Sequence, residues 1–169
     1  IPHFVWLVLW SVLVAVLAFV NWIVTLVRGS SPEGIHRFFA AYTRYGIHLY
    51  AFVTLVANPF PGFTGKAGSY PIDVEIAPPQ PQRRAFVFFR LFLASPAFIV
   101  QAGLNLALYA VAFLGWFAAL FTGRMPQGLR NLGAFALRYE AQTAGYLLLL
   151  TARYPDASPR LEPETEAAE

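Results

Sequence analysis

Hydrophobic residues in this chain fall into two long unbroken runs, and after each run polar residues return at helical spacing. The first run, from Phe4 to Val27, reads FVWLVLWSVLVAVLAFVNWIVTLV, twenty-four residues without a charge. At about 1.5 Å per residue it can cross a hydrocarbon layer of about 30 Å with some tilt. Trp6, Trp10 and Trp22 lie towards its ends, where indole rings favour the membrane interface. The second run, PAFIVQAGLNLALYAVAFLGWFAALF from Pro96 to Phe121, is interrupted only by Gln101 and Asn105. The first run lacks a basic leader and exceeds the apolar stretch of about 7–15 residues found in a secretory signal. Spanning helices are therefore the expectation for both.

Each run ends in the same turn, G-x-x-P-x-G: GSSPEG at 29–34 and GRMPQG at 123–128. Gly29 and Gly123 can end a helix by taking positive φ. Ser31 can cap the next helix, with Pro32 at its first position and Glu33 at its positive end. The second copy has Met125 and Gln127 there but keeps Pro126, and Gly34 and Gly128 complete the motif. The helices that follow are expected over roughly 33–57 and 127–152. In the first, Arg37, Arg44 and His48 recur at spacings of seven and four and share one narrow stripe; their counterparts are Asn131, Arg138 and Gln142.

Displaced by 94 residues, the chain matches itself over 1–61 and 95–155 without a gap, with fourteen of sixty-one positions identical. The shared residues include Pro2/Pro96, Trp22/Trp116, Gly29/Gly123, Pro32/Pro126, Gly34/Gly128, Arg44/Arg138, Tyr45/Tyr139 and Pro61/Pro155. Chance matching of apolar segments supplies Leu and Ala, not these residue types in one register. A tandem duplication follows. The second unit is preceded by RRAFVFFRLFLAS at 83–95, basic and aromatic like a short helix in the headgroup layer, with Pro96 marking the bend into the span. A comparable lead-in is expected before Ile1, which would then not be the natural N-terminus.

Between the units, residues 58–84 are rich in Pro and Gly, and YPIDVEI within them alternates like a short strand. A lone strand is unstable, so a neighbour from another chain or packing on the headgroup side is expected. The C-terminal DASPRLEPETEAAE is acidic and solvated in character. The expected fold is an all-α integral membrane protein of duplicated helix–turn–helix units, about four membrane-associated helices, with a Pro/Gly-rich linker. The units are a first helical hairpin over 1–61, an extra-membrane linker over 62–82, a second hairpin with its leading helix over 83–155, and a tail over 156–169.

Two topologies fit. Crossing second helices make each unit a hairpin, which their length and a linker that begins and ends on one side favour. Second helices lying at the interface make each unit span once, which keeps Arg out of hydrocarbon.

Composition agrees with a membrane body: 57% of residues are hydrophobic and 12% charged, about half the charge of a soluble domain. Five of the nine acids follow Tyr154, leaving four acids against eleven Lys and Arg before it. That basic body suits anionic lipid headgroups and offers no basic cluster patterned for nucleic acid. Without cysteine, thiolate metal sites and Cys nucleophiles are excluded.

Candidate chemistry is sparse. Of His3, His36 and His48, the last two lie more than three helical turns apart and cannot share a metal from one helix. Glu140 is the one acid in the membrane region and the best proton-transfer candidate. Phosphate loops, nucleophile elbows and zinc motifs are missing from the sequence, so no catalytic residue, metal or cofactor is expected. The paired Arg44–Tyr45 and Arg138–Tyr139, with Arg83, Arg84 and Arg90, are the candidates for lipid or partner binding, since Arg holds phosphate or carboxylate bidentately.

In the second unit, R-x-x-L-A-x-P-x-F-I-V, W-F-A-x-L-F-T-G-R-x-P-x-G-L, L-R-Y and Y-L-L-L-L-T-x-R-Y-P occur in order. This pattern resembles the bacterial membrane family called domain of unknown function 4389, and the first unit matches it through I-P-H-F-V, GSSPEG and N-P-F-P. The resemblance implies architecture in two copies and transfers no activity. The expected function is a non-enzymatic accessory or scaffold subunit of a larger complex in the bacterial inner membrane, in contact with lipids and partner helices. The alternative is a small transporter or channel built on two repeats.

Overall fold

The computed structural model describes residues 2–158. It contains α1 (Pro2–Arg28), α2 (Glu33–Val53), α3 (Arg84–Phe88), α4 (Arg90–Leu93), α5 (Ser95–Thr122) and α6 (Gln127–Leu147), with no strand among the described residues. The acidic tail beyond Ser158 lies outside them.

The same local chemistry builds both pairs of long helices. Gly29 and Gly123 take φ of 82° and 72°, and their N–H groups bond to Thr25 O and Ala119 O at 2.8 and 2.9 Å. Pro32 and Pro126 then hold φ of −59° and −58° as the residues before α2 and α6. Gly34 and Gly128 sit inside the first turn with open space where a Cβ would point, so the turn does not depend on them. Ser31, expected as a cap, makes no capping bond; Pro32 occupies that place and the serine hydroxyl turns to other helices.

α2 and α6 stop four to five residues earlier than the apolar pattern suggests, because Leu55 and Leu149 adopt left-handed φ of 60° and 61°. Their N–H groups bond to Phe52 O and Tyr146 O, and the chain closes further through Ala57 N to Ala51 O and Leu150 N to Gly145 O. A left-handed non-glycine costs about 1 kcal/mol. Here it aims the carbonyls that follow α6 at donors on other elements.

α1 packs on α2, α2 on α6, and α6 on α5. Each neighbouring pair is antiparallel: His3 meets Tyr45 while Asn21 meets Ser31, and Phe39 of α2 packs with Leu150 beyond the end of α6. The two core clusters are counterparts. Val14, Phe39 and Leu150 centre one; Leu108 and Val56 stand at the matching positions of the other, where Gly133 replaces the phenylalanine. A Cβ on Gly133 would lie 2.5 Å from Val56 Cγ2, so α6 approaches this segment more closely than a side chain permits.

The lead-in is two short helices rather than one, with breaks at Phe89 (ψ 10°) and Ala94 (ψ −13°). α3 lies against α1, where Trp22 Nε1 donates to Val87 O at 2.9 Å. The linker also differs from expectation. It leaves α2 beside His3, which stacks on Phe63, and it finishes at the opposite end, where Gln82 N bonds to Gly29 O at 2.7 Å. Its two ends thus lie at opposite ends of α2.

Among the described residues, only α1 and α5 are long and apolar enough to cross a membrane, and both are largely exposed, with 11% and 17% of their most apolar windows buried. Phe4, Leu9, Val12, Val16 and Phe19 are exposed along α1, and Ile99, Leu106, Phe113, Leu120 and Phe121 along α5. α2 and α6 instead bury Phe39, Tyr45, Leu137 and Tyr139.

Candidate functional site

The polar stripe of α2 is covered by the linker. Arg44 Nε donates to Val74 O at 3.0 Å and lies 3.8 Å from Asp73 Oδ1. His48 Nε2 meets the same carboxylate oxygen at 3.3 Å, and its ring stacks on Tyr70 with centroids 4.7 Å apart. Burial pushes the Asp73 carboxyl up, but the N–H groups of Gly68 and Val74 and the His48 ring outweigh it and hold it below its ordinary value. At Gly65 the linker backbone comes so close that a Cβ would collide with Ala41 O.

The apolar side of YPIDVEI is therefore covered within its own chain. Tyr70 is buried and Ile72, Val74 and Ile76 are half-buried, while Pro71, Asp73, Glu75 and Ala77 are exposed as residues. The strand-like alternation is present, but helices, not a second strand, take its apolar side: Ile72 packs against the cluster containing Leu137, and Ile76 against the one containing Leu150.

α6 presents the equivalent stripe to the C-terminal segment. Gln142 Oε1 accepts from Asp156 N at 2.7 Å, and Arg138 donates to Ser158 O with its guanidinium 5.2 Å from the Phe135 ring. Between this stripe and the linker lies a cavity of about 450 Å³, with Asp73, Glu75, Arg138, Arg153 and Asp156 on its walls.

A second polar centre gathers at the carbonyls that follow α6. Leu149 O accepts from Gln82 Nε2 at 2.8 Å and lies 3.4 Å from Ser31 Oγ; His36 Nε2 donates to Leu150 O at 3.3 Å. Asn21 Nδ2 reaches Leu148 O at 3.4 Å, and Arg90 donates to Thr151 O at 2.9 Å and to Gln82 Oε1. Arg90 is 3% exposed and lies 4.0 Å over the Tyr146 ring. Donors from α1, the turn before α2, α2 itself, the linker and α4 thus converge on the carbonyls beyond the C-terminal end of α6.

The candidate residues separate accordingly. Arg44, Arg138 and Arg90 are engaged within the chain as described. Tyr45 and Tyr139 are buried, and the Tyr45 hydroxyl lies 2.8 Å from His3 Nδ1. Arg83 and Arg84 are exposed, though Arg84 donates to Val27 O at 2.9 Å. Glu140 accepts from Gln101 Nε2 at 2.6 Å beside a hollow of about 280 Å³ that also touches Asn105. Among the described residues no three His, Asp or Glu converge as metal ligands. Gln82 and the pair of left-handed leucines were missed in the sequence; the only signal for the leucines was their recurrence at a displacement of 94.

These features define an all-helical protein in two repeats, each with one long exposed apolar helix and one internally packed amphipathic helix. The chain belongs to the family described as Domain of unknown function (DUF4389), whose model matches residues 1–64 and 84–157, one match for each repeat. No curated protein and no solved structure matches it.

Proposed function

We propose that the protein is a non-enzymatic scaffold or accessory subunit embedded in a bacterial inner membrane, where it holds lipid and partner helices on its apolar side. The observation that carries this reading is the exposed apolar surface of α1 and α5, joined by Phe86, Phe88, Leu91 and Phe92 of α3 and α4. In water such a surface is an interaction site or a liability.

The path of the linker supports a layered placement. It runs from one end of α2 to the other with Lys66, Ser69, Asp73, Glu75 and Gln80 exposed, and such a segment is not stable against lipid. With α1 and α5 in the apolar layer and the linker in water, α2 and α6 lie between them and do not cross. Single cysteines at Lys66, Glu75 and Gln80 should all label from one face of sealed vesicles; labelling of Lys66→Cys and Gln80→Cys from opposite faces would overturn the layering.

For the function, mild extraction should yield the chain in an assembly larger than itself. Deleting residues 156–169, or introducing prolines at 72–76, should release it while the helical content stays. A monomeric chain that conducts solute in liposomes would replace the scaffold reading by the transporter, with Glu140 and Gln101 as its first candidates.

A further inference from the structure

The lead-in helices α3 and α4 run into the second unit but dock across both. Val87 is fully buried, its carbonyl takes the Trp22 indole N–H at 2.9 Å, and Phe88 stacks on the Trp22 ring. Gln82 ties the segment to Gly29 O through its N–H and to Leu149 O through its side chain. Arg90 closes it, donating to Thr151 O and lying over the Tyr146 ring.

Each of these partners has a counterpart 94 residues away, and there the surface is open. Trp116 stands for Trp22, yet it is 62% exposed and borders a hollow of about 430 Å³ with Leu55, Phe117 and Leu120. Leu55 stands for Leu149, Ala57 for Thr151 and Gly123 for Gly29. Among the described residues none of these three carbonyls accepts a hydrogen bond, whereas all three of their counterparts do. Unpaired backbone carbonyls are costly beside lipid. Phe52 stands for Tyr146 and keeps its aromatic neighbour, Phe60 for Tyr154, so a ring is in place for a cation.

We infer that this open site is the seat of a basic, aromatic lead-in helix that precedes α1 on the same polypeptide, docked as α3 and α4 dock at the other end. The Trp22 site is filled by the segment that runs directly into α5, so its equivalent is the segment that runs directly into α1. The reach is short. Leu55 places the end of α5 beside the end of α2, and α1 begins at that same end: the His3 ring lies 4.8 Å from Phe60, which is 5.4 Å from Phe52. In the register of residues 82–94, an apolar side chain enters the hollow as Val87 does and a carbonyl takes the Trp116 indole N–H. An arginine five residues before Ile1, where Arg90 stands before Ser95, reaches Ala57 O over the Phe52 ring. A second copy is the poorer occupant, because its own α3 is engaged on its own α1. This goes beyond the scaffold reading and does not rest on it.

The test extends the chain before Ile1 by a copy of residues 82–94, QRRAFVFFRLFLA. Single-tryptophan variants are read in phosphatidylcholine vesicles with brominated acyl chains, which quench the indoles they touch. In the chain beginning at Ile1, Trp116 should be quenched more than Trp22. With the extension its quenching should fall to the level of Trp22, and Val87→Asp or Arg90→Ala in the copy alone should restore it. Unchanged quenching of Trp116 on extension would place the added helix in the headgroup layer and overturn the site. Shielding of Trp116 without the extension, rising with the protein-to-lipid ratio, would seat a second copy there and overturn it too. A second measurement keeps all four tryptophans. The indole N–H resonance of Trp116, assigned with Trp116→Phe, should shift on extension as a hydrogen bond forms; a resonance that does not move also overturns the proposal. Either failure leaves co-extraction in a larger assembly, the mark of the scaffold reading, unaffected.

Discussion

Side-chain hydrogen bonds cross the hairpin of α1 and α2 at three places, while at the counterpart positions of α5 and α6 none is formed among the described residues and the bond between those helices is Gln101 to Glu140 instead. His3 bonds to Tyr45, Ser11 to Tyr42 at 2.9 Å, and Asn21 to Ser31 at 3.1 Å. The counterparts are Ala97 with Tyr139, Asn105 with Ala136, and Gly115 with Met125. Backbone geometry has persisted through this divergence, down to matched left-handed residues, because turn glycines, prolines and helix ends set it locally. Side chains have diverged as pairs. A Cβ on Gly115 would lie 3.0 Å from Met125 Cε, so the end of the methionine side chain would have to give by a few tenths of an ångström to admit a larger residue here. The polar pair has a further role in the first unit: Asn21 and Ser31 also reach the carbonyls at the end of α6.

The comparison breaks most sharply where one unit has Phe39 and the other Gly133. Phe39 is fully buried, and Phe39→Ala should cost about 3–5 kcal/mol. Exchanging in the other direction, Gly133→Phe, should prevent the α2–α6 contact from forming, because Val56 leaves no space even for a Cβ. Thermal unfolding in micelles should show the first variant with a lowered midpoint and the second without a cooperative transition. Near-wild-type unfolding of Gly133→Phe would mean that the two helices are not packed as described.

Next comes the end of α6, whose following carbonyls take side-chain donors from several other elements. Arg90→Leu removes donors from Thr151 O and Gln82 Oε1 and should cost about 2 kcal/mol, the penalty for stranded buried acceptors. Amide exchange in the last turn of α6 should accelerate while that of α2 does not. Equal acceleration in both would show that Arg90 acts through general packing.

Helix positions, turns and duplication were legible in the sequence because each rests on local periodicity and on Gly and Pro at fixed offsets. What escaped was long-range. Ser31 has the composition of a cap, but Asn21 and the carbonyl of Leu149 compete for its hydroxyl. The period-two pattern of Tyr70–Ile76 marks an extended segment equally well when helices take its apolar side. Arg44 and Arg138 were visible as a pair, yet periodicity assigns them to a stripe without saying that the chain's own linker and C-terminal segment cover it.

A smaller effect sharpens the pairwise divergence. Asn21→Gly alone and Ser31→Met alone should each destabilise by about 1 kcal/mol, since each strands a buried polar partner. Together they recreate the Gly115–Met125 pair, and their combined cost should fall below the sum of the two, as expected for residues in contact. A double-mutant cycle on unfolding midpoints measures the difference; strict additivity would sever the link between the two positions.

The smallest effect separates the two polar stripes by pH. The Asp73 carboxyl is held below its ordinary value of 3.8 by Gly68, Val74 and His48. A group with a depressed folded value stabilises fully above its unfolded value and loses that contribution as pH falls through the folded one. The contribution of Asp73 to linker docking should therefore be complete above pH of about 4 and weaken progressively below it. The Asp156 carboxyl is also held low, but by the hydroxyl and N–H of Ser158 two residues away. The C-terminal segment meets α6 through the Asp156 N–H and Gln142 instead, a bond between groups that do not titrate in this range. Hydrogen exchange on acidification should thus release the amides of Gly68 and Val74 before that of Asp156, and Asp73→Asn should abolish the pH dependence of the first two. Simultaneous release of all three would show that the acid transition is global unfolding rather than detachment of the linker from α2.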